Sequence, residues 1–364
     1  MEKEILLKVN QYIKKDRPFL GKNIVCDYFR NGSFLEIAFM SRQCRNDAKG
    51  TCIMCDYGAV YGAKNSELYM EELKSVLIQE QGIKYLLICT NGSIMDFLQF
   101  PETTFYEILR YVNETDIPNI IIETHYLDIT DDSLEMIKKV LFSKNVIFEL
   151  GLETANQKYQ DYLIMKQIDM NRFKKTITAI QNFGFSVDLN ILLGLPFLSG
   201  RAQFDDAKNA ILWTFEQGCN SVVFPINIKP YTLLMNMYEN NFYQPVSHWM
   251  LLLLLDDIPS DKLSQITISY YGNREDDYYG DEHKSVFPDC CHICQKPLFD
   301  FYDNFYNKDD AYQRKGLLKQ ILKFDKCDCL KKQRNLLELP EQYTFEEKYN
   351  EYTAFLKKNF ELLI

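Results

Sequence analysis

The sequence contains no apolar run long enough to cross a bilayer. The run Met250–Leu255 is short, whereas a membrane-spanning helix needs about 20 apolar residues. The first residues, Met1–Asp16, carry charges throughout and predict an amphipathic helix in place of a secretory signal peptide. These absences favour a cytoplasmic protein.

Positively charged residues are also outnumbered by negatively charged ones. The chain has 41 Lys and Arg residues against 51 Asp and Glu residues, a formal net charge of −10, and its isoelectric point is about 5.1. An acidic chain gains no affinity for nucleic acid from counterion release, so broad non-specific binding is not expected. The sequence has no recognisable RNA-binding domain. A local basic patch or a partner subunit could still supply contacts to RNA.

The chain lacks internal repeats and low-complexity linkers, and its 364 residues suit one large α/β domain with an appendage. Short apolar runs alternate with helical stretches. The predicted strands are Phe34–Phe39, Tyr85–Cys89, Asn119–Glu123, Val146–Leu150, Ser186–Leu192 and Ser221–Ile226. The predicted helices between them include Ser66–Gln79, Thr103–Val112, Asp132–Lys139, Met170–Asn182 and Ala202–Gln217. This alternation predicts parallel βαβ units and a partial barrel of six such units.

The alternation stops after about Tyr231, which gives three predicted segments. Residues 1–33 hold an N-terminal helix and strand, residues 34–230 the core, and residues 231–364 a C-terminal extension. Residues 231–284 are predicted to be helical and then rich in loops. Phe345–Leu363 is predicted to form a closing amphipathic helix.

Eleven cysteines without a secretory signal indicate a reducing compartment and metal ligation in place of disulfides. Cys44, Cys52 and Cys55 follow the first predicted strand of the core. Three thiolates are one short of the complement of a four-iron cluster, so one iron would keep an open coordination position. We therefore expect a catalytic cluster in this loop, at the barrel rim where chemistry is usually located. The alternatives are a three-ligand zinc site and thiols without metal.

Polar side chains follow the other predicted strands. Asn91-Gly92-Ser93 comes after the second strand, Glu123 ends the third, Glu153 follows the fourth with Lys166 behind it, and Asn190 lies in the fifth. Each of these is weak evidence alone, because polar residues are common in loops. Polar residues at the ends of successive predicted strands, together with a three-cysteine loop after the first strand, predict a cofactor site.

Together these motifs resemble the radical S-adenosylmethionine (SAM) enzymes. The resemblance runs from about Phe34 to Leu330, and the branch containing the radical SAM subunit of archaeosine synthase is the most similar in its cysteine spacing. The elongator catalytic subunit and coproporphyrinogen dehydrogenase are more distant. Besides the cysteines, the motifs that carry it are Tyr57-Gly58-Ala59, Asn91-Gly92-Ser93, Gly151-Leu152-Glu153-Thr154, Gly194-Leu195-Pro196-Phe197-Leu198 and Asn227-Ile228-Lys229-Pro230-Tyr231-Thr232.

The resemblance implies a fold, two cofactors and a role for each residue. The fold would be a partial (β/α)6 radical SAM barrel, and Cys44, Cys52 and Cys55 would bind a [4Fe–4S] cluster whose remaining iron chelates SAM. The implied SAM contacts are Met54 at the adenine, Asn91, Gly92 and Ser93 at the methionine amino group, Lys166 at the methionine carboxylate, and Glu123, Glu153 and Asn190 at the methionine moiety and the ribose hydroxyls.

A second cysteine group lies in the extension. Cys291 and Cys294 form a Cys-x2-Cys pair, and Cys327 and Cys329 form a Cys-x-Cys pair. Four thiolates suit a closed tetrahedral zinc site. An auxiliary iron–sulfur cluster is the rival, and Cys290 or His292 could replace one of the four ligands.

The resemblance implies that the protein cleaves SAM reductively and abstracts hydrogen from its substrate. In the archaeosine branch the reaction breaks a C–N bond in a lysine adduct on a modified tRNA base. Flavodoxin or ferredoxin as the electron donor and a transferase subunit as a partner are expected with it. The alternatives are modification of a small molecule or peptide, and a non-catalytic metal-binding scaffold.

Overall fold

A computed structural model describes residues 1–18, 25–42, 44–58, 65–166, 168–269 and 285–361 of the chain. Ala59 of the sequence motif and Leu363 of the predicted closing helix lie outside these residues. Within the described residues, no helix combines the length and the apolar character that crossing a membrane requires. None of the eleven cysteines, all of which are described, forms a disulfide.

Eight strands form one sheet whose order follows the chain. The strands are β1 Cys26–Asn31, β2 Phe34–Phe39, β3 Tyr85–Thr90, β4 Asn119–Thr124, β5 Asn145–Glu153, β6 Ser186–Leu193, β7 Asn220–Pro225 and β8 Ile266–Ile268. β1 is antiparallel to β2, while β2 to β5 pair in parallel and β8 is parallel to β7. The predicted α/β partial-barrel class is confirmed.

Fourteen α-helical segments within the described residues separate and follow the strands. They are α1 Lys3–Lys15, α2 Arg45–Ala48, α3 Ser66–Gln79, α4 Glu102–Asn113, α5 Asp131–Val140, α6 Gln157–Tyr159, α7 Met170–Asn182, α8 Gly200–Glu216, α9 Leu233–Glu239, α10 His248–Asp257, α11 His292–Tyr306, α12 Ala311–Ile321, α13 Cys329–Glu338 and α14 Phe345–Asn359. All six predicted core strands and the predicted helices are present. Most ends are displaced by at most two residues, but β5 continues to Glu153, three residues beyond the predicted end, and α14 ends at Asn359, before the predicted Leu363. β8 was not predicted, because three residues are too few to show a period in the sequence.

The chain divides into two compact units. The first comprises residues 16–151 and 168–189, and the second comprises residues 1–15, 152–167 and 190–364. The chain passes from one to the other after residues 15 and 167, within β5 and within β6.

In the first unit, alternate residues of each strand have different surroundings. Leu35, Ile37 and Phe39 of β2 are fully buried on one face. On the opposite face Leu87, Cys89 and Ile121 form a small buried cluster, against which partly buried residues of neighbouring strands pack. Successive side chains of a strand point to opposite faces. The second face is therefore largely apolar in the middle of the strands, with Glu36 of β2 as the exception, and Asn91 and Glu123 continue it at the carboxyl ends.

In the second unit, α12 is tied to β8 by a buried arginine. The Arg314 guanidinium donates hydrogen bonds to the carbonyl oxygens of Leu263 at 2.7 Å and Ile266 at 2.6 Å. Its charged group lies over the Phe305 ring, 4.5 Å from the ring centroid. These contacts satisfy a charge that burial would otherwise penalise. The short strand β8 thus depends on a helix of the extension.

His248 at the start of α10 is the clearest source of acid sensitivity in this unit. It is buried, its Nδ1 lies 2.8 Å from the Tyr302 hydroxyl, and burial lowers its pKa from 6.5 to about 4. A histidine whose pKa is lower in the folded state favours folding above its unfolded pKa. That contribution is lost as the pH falls from about 6.5 toward about 4.

We expect the free energy of unfolding to fall by about 2 kcal/mol more between pH 7 and pH 5 in the wild type than in a His248→Phe variant. Chemical denaturation followed by circular dichroism at both pH values measures this difference. Equal losses in the two proteins would show that His248 is protonated without cost in the folded state.

Candidate active site

The three-cysteine loop begins directly after β2. Cys44 caps the short helix α2, where its carbonyl oxygen accepts from the Ala48 N–H at 2.8 Å. Cys52 is buried, whereas Cys44 and Cys55 are partly exposed. The Tyr57 N–H donates to the Cys55 Sγ at 3.4 Å. Hydrogen bonds of this kind stabilise a thiolate.

A buried ion pair holds the middle of the loop. The Asp47 carboxylate, whose side chain is 0% exposed, pairs with Arg17 Nη1 at 2.6 Å and also accepts from the Gly58 N–H. A Cβ on Gly58 would collide with this carboxylate and lie 2.8 Å from the Arg17 guanidinium. Glycine is therefore required there. Neither Arg17 nor Asp47 was predicted as a site residue.

Asn91, predicted to lie at the SAM amino group, uses its side chain to join the two ends of the loop. Its Oδ1 accepts from the Ser41 N–H at 3.0 Å and the Ser41 hydroxyl at 2.9 Å. Its Nδ2 donates to the Tyr57 carbonyl at 3.1 Å and the Arg42 carbonyl at 3.3 Å. The side chain of Asn91 thus fixes the path of the loop on both sides of its cysteines.

The next two residues of this motif are equally constrained. A Cβ on Gly92 would lie 2.7 Å from the Gln99 Oε1 and 3.4 Å from the Cys44 Cα, so the turn passes directly against the first cysteine. The Ser93 hydroxyl lies 2.7 Å from the Thr124 hydroxyl and accepts from the His125 N–H at 3.1 Å. The Gln99 Oε1 is buried without a hydrogen-bond partner.

Arg45, the residue after Cys44, forms ion pairs with two aspartates that were not predicted as site residues. It pairs with Asp96, which is buried, and with Asp128 at 3.3 Å. Burial raises the pKa of Asp96, and the neighbouring Arg45 opposes that shift. Removing Arg45 would leave Asp96 without its cationic partner in a buried place.

The predicted ligand Glu123 has an acidic neighbour on the adjacent strand. Glu123 of β4 stands opposite Glu149 of β5 in the parallel register, and Glu149 is the more deeply buried of the two. Parallel neighbours in register share a sheet face. Glu149 was not predicted as a site residue because it lies inside the apolar run that predicts β5.

In the second unit, Glu153 at the end of β5 pairs with Lys166. Its Oε1 contacts the Lys166 Nζ at 2.5 Å, while its Oε2 is buried without a hydrogen-bond partner. The Asn190 Oδ1 of β6 is buried without a partner as well. Buried polar atoms in proteins are almost always hydrogen-bonded, so both oxygens are available to accept a hydrogen bond.

The sulfur spacing separates the two cysteine groups. The Sγ atoms of Cys291, Cys294, Cys327 and Cys329 all lie within 4.8 Å of one another. Within the described part of the chain, Cys44, Cys52 and Cys55 do not form a group of that spacing. Thiolates on one zinc ion are about 3.8 Å apart, given Zn–S bonds of about 2.3 Å in a tetrahedron. The spacing of the second group therefore suits a single metal ion.

The second group is compact because helix starts bring the four sulfurs together. Cys291 caps α11 and Cys329 begins α13. The Cys291 and Cys294 sulfurs are 3.5 Å apart. Burial raises the pKa of Cys294, while hydrogen bonding from the Cys294 backbone lowers the pKa of Cys291 to about 6. Four thiolates at this spacing would repel one another unless a cation lies between them.

Comparison with known proteins gives one curated relative and several solved structures. No protein-family model matches the chain. Archaeosine synthase subunit beta of Thermococcus kodakarensis is 25% identical over 204 residues, which are 54% of this chain and 63% of the relative. The match thus spans less than two thirds of the relative's length.

Among solved structures, methylornithine synthase gives a TM-score of 0.48 at 15% identity, covering 86% of this chain and 91% of that one. Coproporphyrinogen III oxidase of Escherichia coli, a radical SAM enzyme, gives 0.37 at 16% identity, covering 62% of this chain and 47% of that one. Both scores are below 0.5, and neither likeness carries a functional conclusion. The chain is thus similar in sequence to an archaeosine synthase subunit over 54% of its own length.

Proposed function

We propose that this protein is a radical SAM enzyme with a [4Fe–4S] cluster on Cys44, Cys52 and Cys55. The observation that carries the proposal is the three-cysteine loop, whose two ends are joined by the four hydrogen bonds of the Asn91 side chain. A cluster held by these cysteines would supply the electron for reductive cleavage of the SAM C5′–S bond, which releases methionine and leaves the 5′-deoxyadenosyl group to abstract hydrogen from the substrate.

The residues around the loop fit a thiolate-bound cluster. The Tyr57 N–H stabilises the Cys55 thiolate, and burial of Cys52 keeps water from its sulfur. Asp47 and Arg17 balance each other's charge inside the loop. A loop that keeps its shape without the metal loses less entropy when the metal binds. Positioning and exclusion of water are what the protein contributes to cofactor chemistry.

The acceptors at the strand ends fit SAM. Its methionine ammonium group and its two ribose hydroxyls are hydrogen-bond donors, and Glu153 Oε2 and Asn190 Oδ1 are buried acceptors that lack a donor. Lys166 is cationic and partly exposed, so it can pair with the methionine carboxylate while it holds Glu153. Met54 is half-buried next to Cys55, which suits contact with the adenine.

For the substrate, we propose cleavage of a C–N bond in a lysine adduct on a modified tRNA base. The similarity to archaeosine synthase subunit beta supports this reaction. The net charge of −10 disfavours unaided RNA binding, so a partner transferase subunit would present the tRNA. Flavodoxin or ferredoxin would supply the electron. Modification of a small molecule or peptide is the alternative.

For the second cysteine group, we propose a structural zinc ion on Cys291, Cys294, Cys327 and Cys329. Four sulfurs within 4.8 Å of one another fit a closed tetrahedral site. The site joins the start of α11 to the start of α13.

Anaerobic reconstitution of the wild type, followed by reduction with SAM, is expected to yield 5′-deoxyadenosine. Cys52→Ala should stay folded but lose the cluster absorbance and the product, because two thiolates do not hold a four-iron cluster. Cys219→Ala, a buried cysteine outside the loop, is the matched control and should retain both. Repeated absence of 5′-deoxyadenosine in iron-loaded wild type would favour the scaffold alternative, and unfolding of Cys52→Ala would indicate a structural metal in the loop.

The tRNA proposal is tested with the reconstituted enzyme and tRNA that carries the lysine adduct. We expect adduct-bearing tRNA to raise 5′-deoxyadenosine formation at least about tenfold above the rate without substrate, since a correctly placed C–H bond commits the radical. Unmodified tRNA is the control. Equal rates with both tRNAs would contradict the tRNA reaction and leave the radical SAM assignment intact.

The zinc proposal predicts that Cys294→Ala lowers the melting temperature and removes zinc while the loop cluster's iron is retained. Loss of a structural metal typically destabilises a small site strongly. Cys290→Ala is the matched control, since Cys290 lies beside the four sulfurs but is not one of them. Zinc and iron are measured by elemental analysis of anaerobically purified protein. Loss of iron from Cys294→Ala would support an auxiliary cluster instead.

A further inference from the structure

Glu153 has a backbone conformation that glutamate rarely adopts. Its φ is +64°, in the left-handed region where a Cβ is crowded and glycine is the usual residue. The Thr154 N–H donates to the Leu152 carbonyl at 2.8 Å, which closes a three-residue turn centred on Glu153. Three-residue turns with positive φ are rare and strained.

One buried amide holds both sides of this turn. Gln160 is 1% exposed, and its Nε2 donates to the Leu152 carbonyl and, at 2.6 Å, to the Thr154 carbonyl. These two carbonyls belong to the residues on either side of Glu153. The Gln160 side chain therefore ties together the two peptide groups whose orientation defines the turn.

A second clamp acts on the residue after the turn. The Thr154 hydroxyl donates to Asp206 Oδ1 of α8 at 2.9 Å and accepts from the Asn156 N–H at 3.1 Å. Thr154 is fully buried and Asp206 nearly so. Burial raises the pKa of Asp206 to about 7, against the effect of the hydrogen bond from Thr154. Asp206 thus fixes the Thr154 side chain, while Gln160 holds the Thr154 carbonyl.

A turn with only a structural role would not need glutamate at its centre. Glycine would remove the backbone strain, and any neutral side chain would remove the buried carboxylate. Glu153 carries both costs, since its side chain is 7% exposed and its Oε2 lacks a hydrogen-bond partner. Strain of this kind concentrates at ligand sites, where it places a functional group.

We propose that Gln160, together with Thr154 and Asp206, is a positioning group that holds Glu153 in its left-handed turn, so that Glu153 Oε2 is preorganised to accept a hydrogen bond from SAM. The identity of the ligand rests on the proposed function, whereas the clamp itself rests on the contacts above. In this role Gln160 acts through Glu153, because its Nε2 holds the carbonyl groups on both sides of that residue.

The clamp is tested with a double-mutant cycle of Gln160→Met and Glu153→Gly. Methionine keeps the shape of glutamine but donates no hydrogen bond, and glycine adopts positive φ without strain. We expect Gln160→Met to lower the melting temperature clearly in the wild-type background and much less in the Glu153→Gly background. We also expect Glu153→Gly to melt at a higher temperature than Glu153→Ala. Equal effects of Gln160→Met in both backgrounds would overturn the clamp.

The positioning role is tested by SAM affinity, measured by equilibrium dialysis of the cluster-loaded protein with labelled SAM. Gln160→Met is expected to weaken SAM binding about tenfold, the loss that corresponds to about one hydrogen bond. Gln157→Met, an exposed glutamine of the same segment, is the matched control and should bind as the wild type does. Unchanged affinity of Gln160→Met would overturn the positioning role. The cluster-loaded wild type could also fail to bind SAM while the double-mutant cycle still shows coupling between Gln160 and Glu153. That result would overturn the proposed function and its ligand, and it would leave the clamp supported.

Discussion

The site depends on keeping a long cysteine loop in one shape by hydrogen bonds from buried polar side chains. An ordinary loop as long as the segment from Cys44 to Cys55 would vary in shape, whereas here the Asn91 amide and the Asp47 carboxylate fix its course. These groups are buried, and a buried polar group is costly only when it lacks partners. Most hydrogen-bond partners of these two side chains are backbone groups of the loop. The same hydrogen bonds therefore satisfy the buried side chains and fix the shape of the loop.

In the second unit, by contrast, buried polar side chains keep oxygens that have no hydrogen-bond partner. Gln160 and Thr154 use their donors to hold the backbone around Glu153, yet the carboxylate at the centre keeps one buried oxygen without a partner. Asn190 does the same with its side-chain oxygen. Gln160 Oε1 and Asp206 Oδ2 are buried without partners as well, so the bonds that shape this turn are donated to its backbone and to one Asp206 oxygen, while several buried acceptors stay open.

The two cysteine groups differ in how their sulfurs are supplied. The loop supplies three cysteines from one continuous segment. The second group joins a Cys-x2-Cys pair at the start of α11 to a Cys-x-Cys pair at the start of α13, and its four sulfurs lie within 4.8 Å. An incomplete ligand set leaves a coordination position for chemistry, while a complete one links two helices.

Much of the fold was predictable because it depends on local patterns. Alternation of apolar runs predicted β2 to β7 with ends displaced by at most three residues, since one buried face per element leaves a period in the sequence. β8 was missed because its three residues are too few to show a period, and the residue that holds its Ile266 carbonyl, Arg314, lies far along the chain. Glu149 was missed because it lies within an apolar run.

By itself, the sequence determined the number and spacing of the cysteines, the βα alternation and the acidic balance, all of which are local or additive properties. Only the tertiary structure decided that Arg17 meets Asp47, that Asn91 joins Ser41 to Tyr57, and that Asp206 holds Thr154. Such partners are separated by tens of residues. Their meeting depends on strand order and on the path of each turn, which no short stretch of sequence contains.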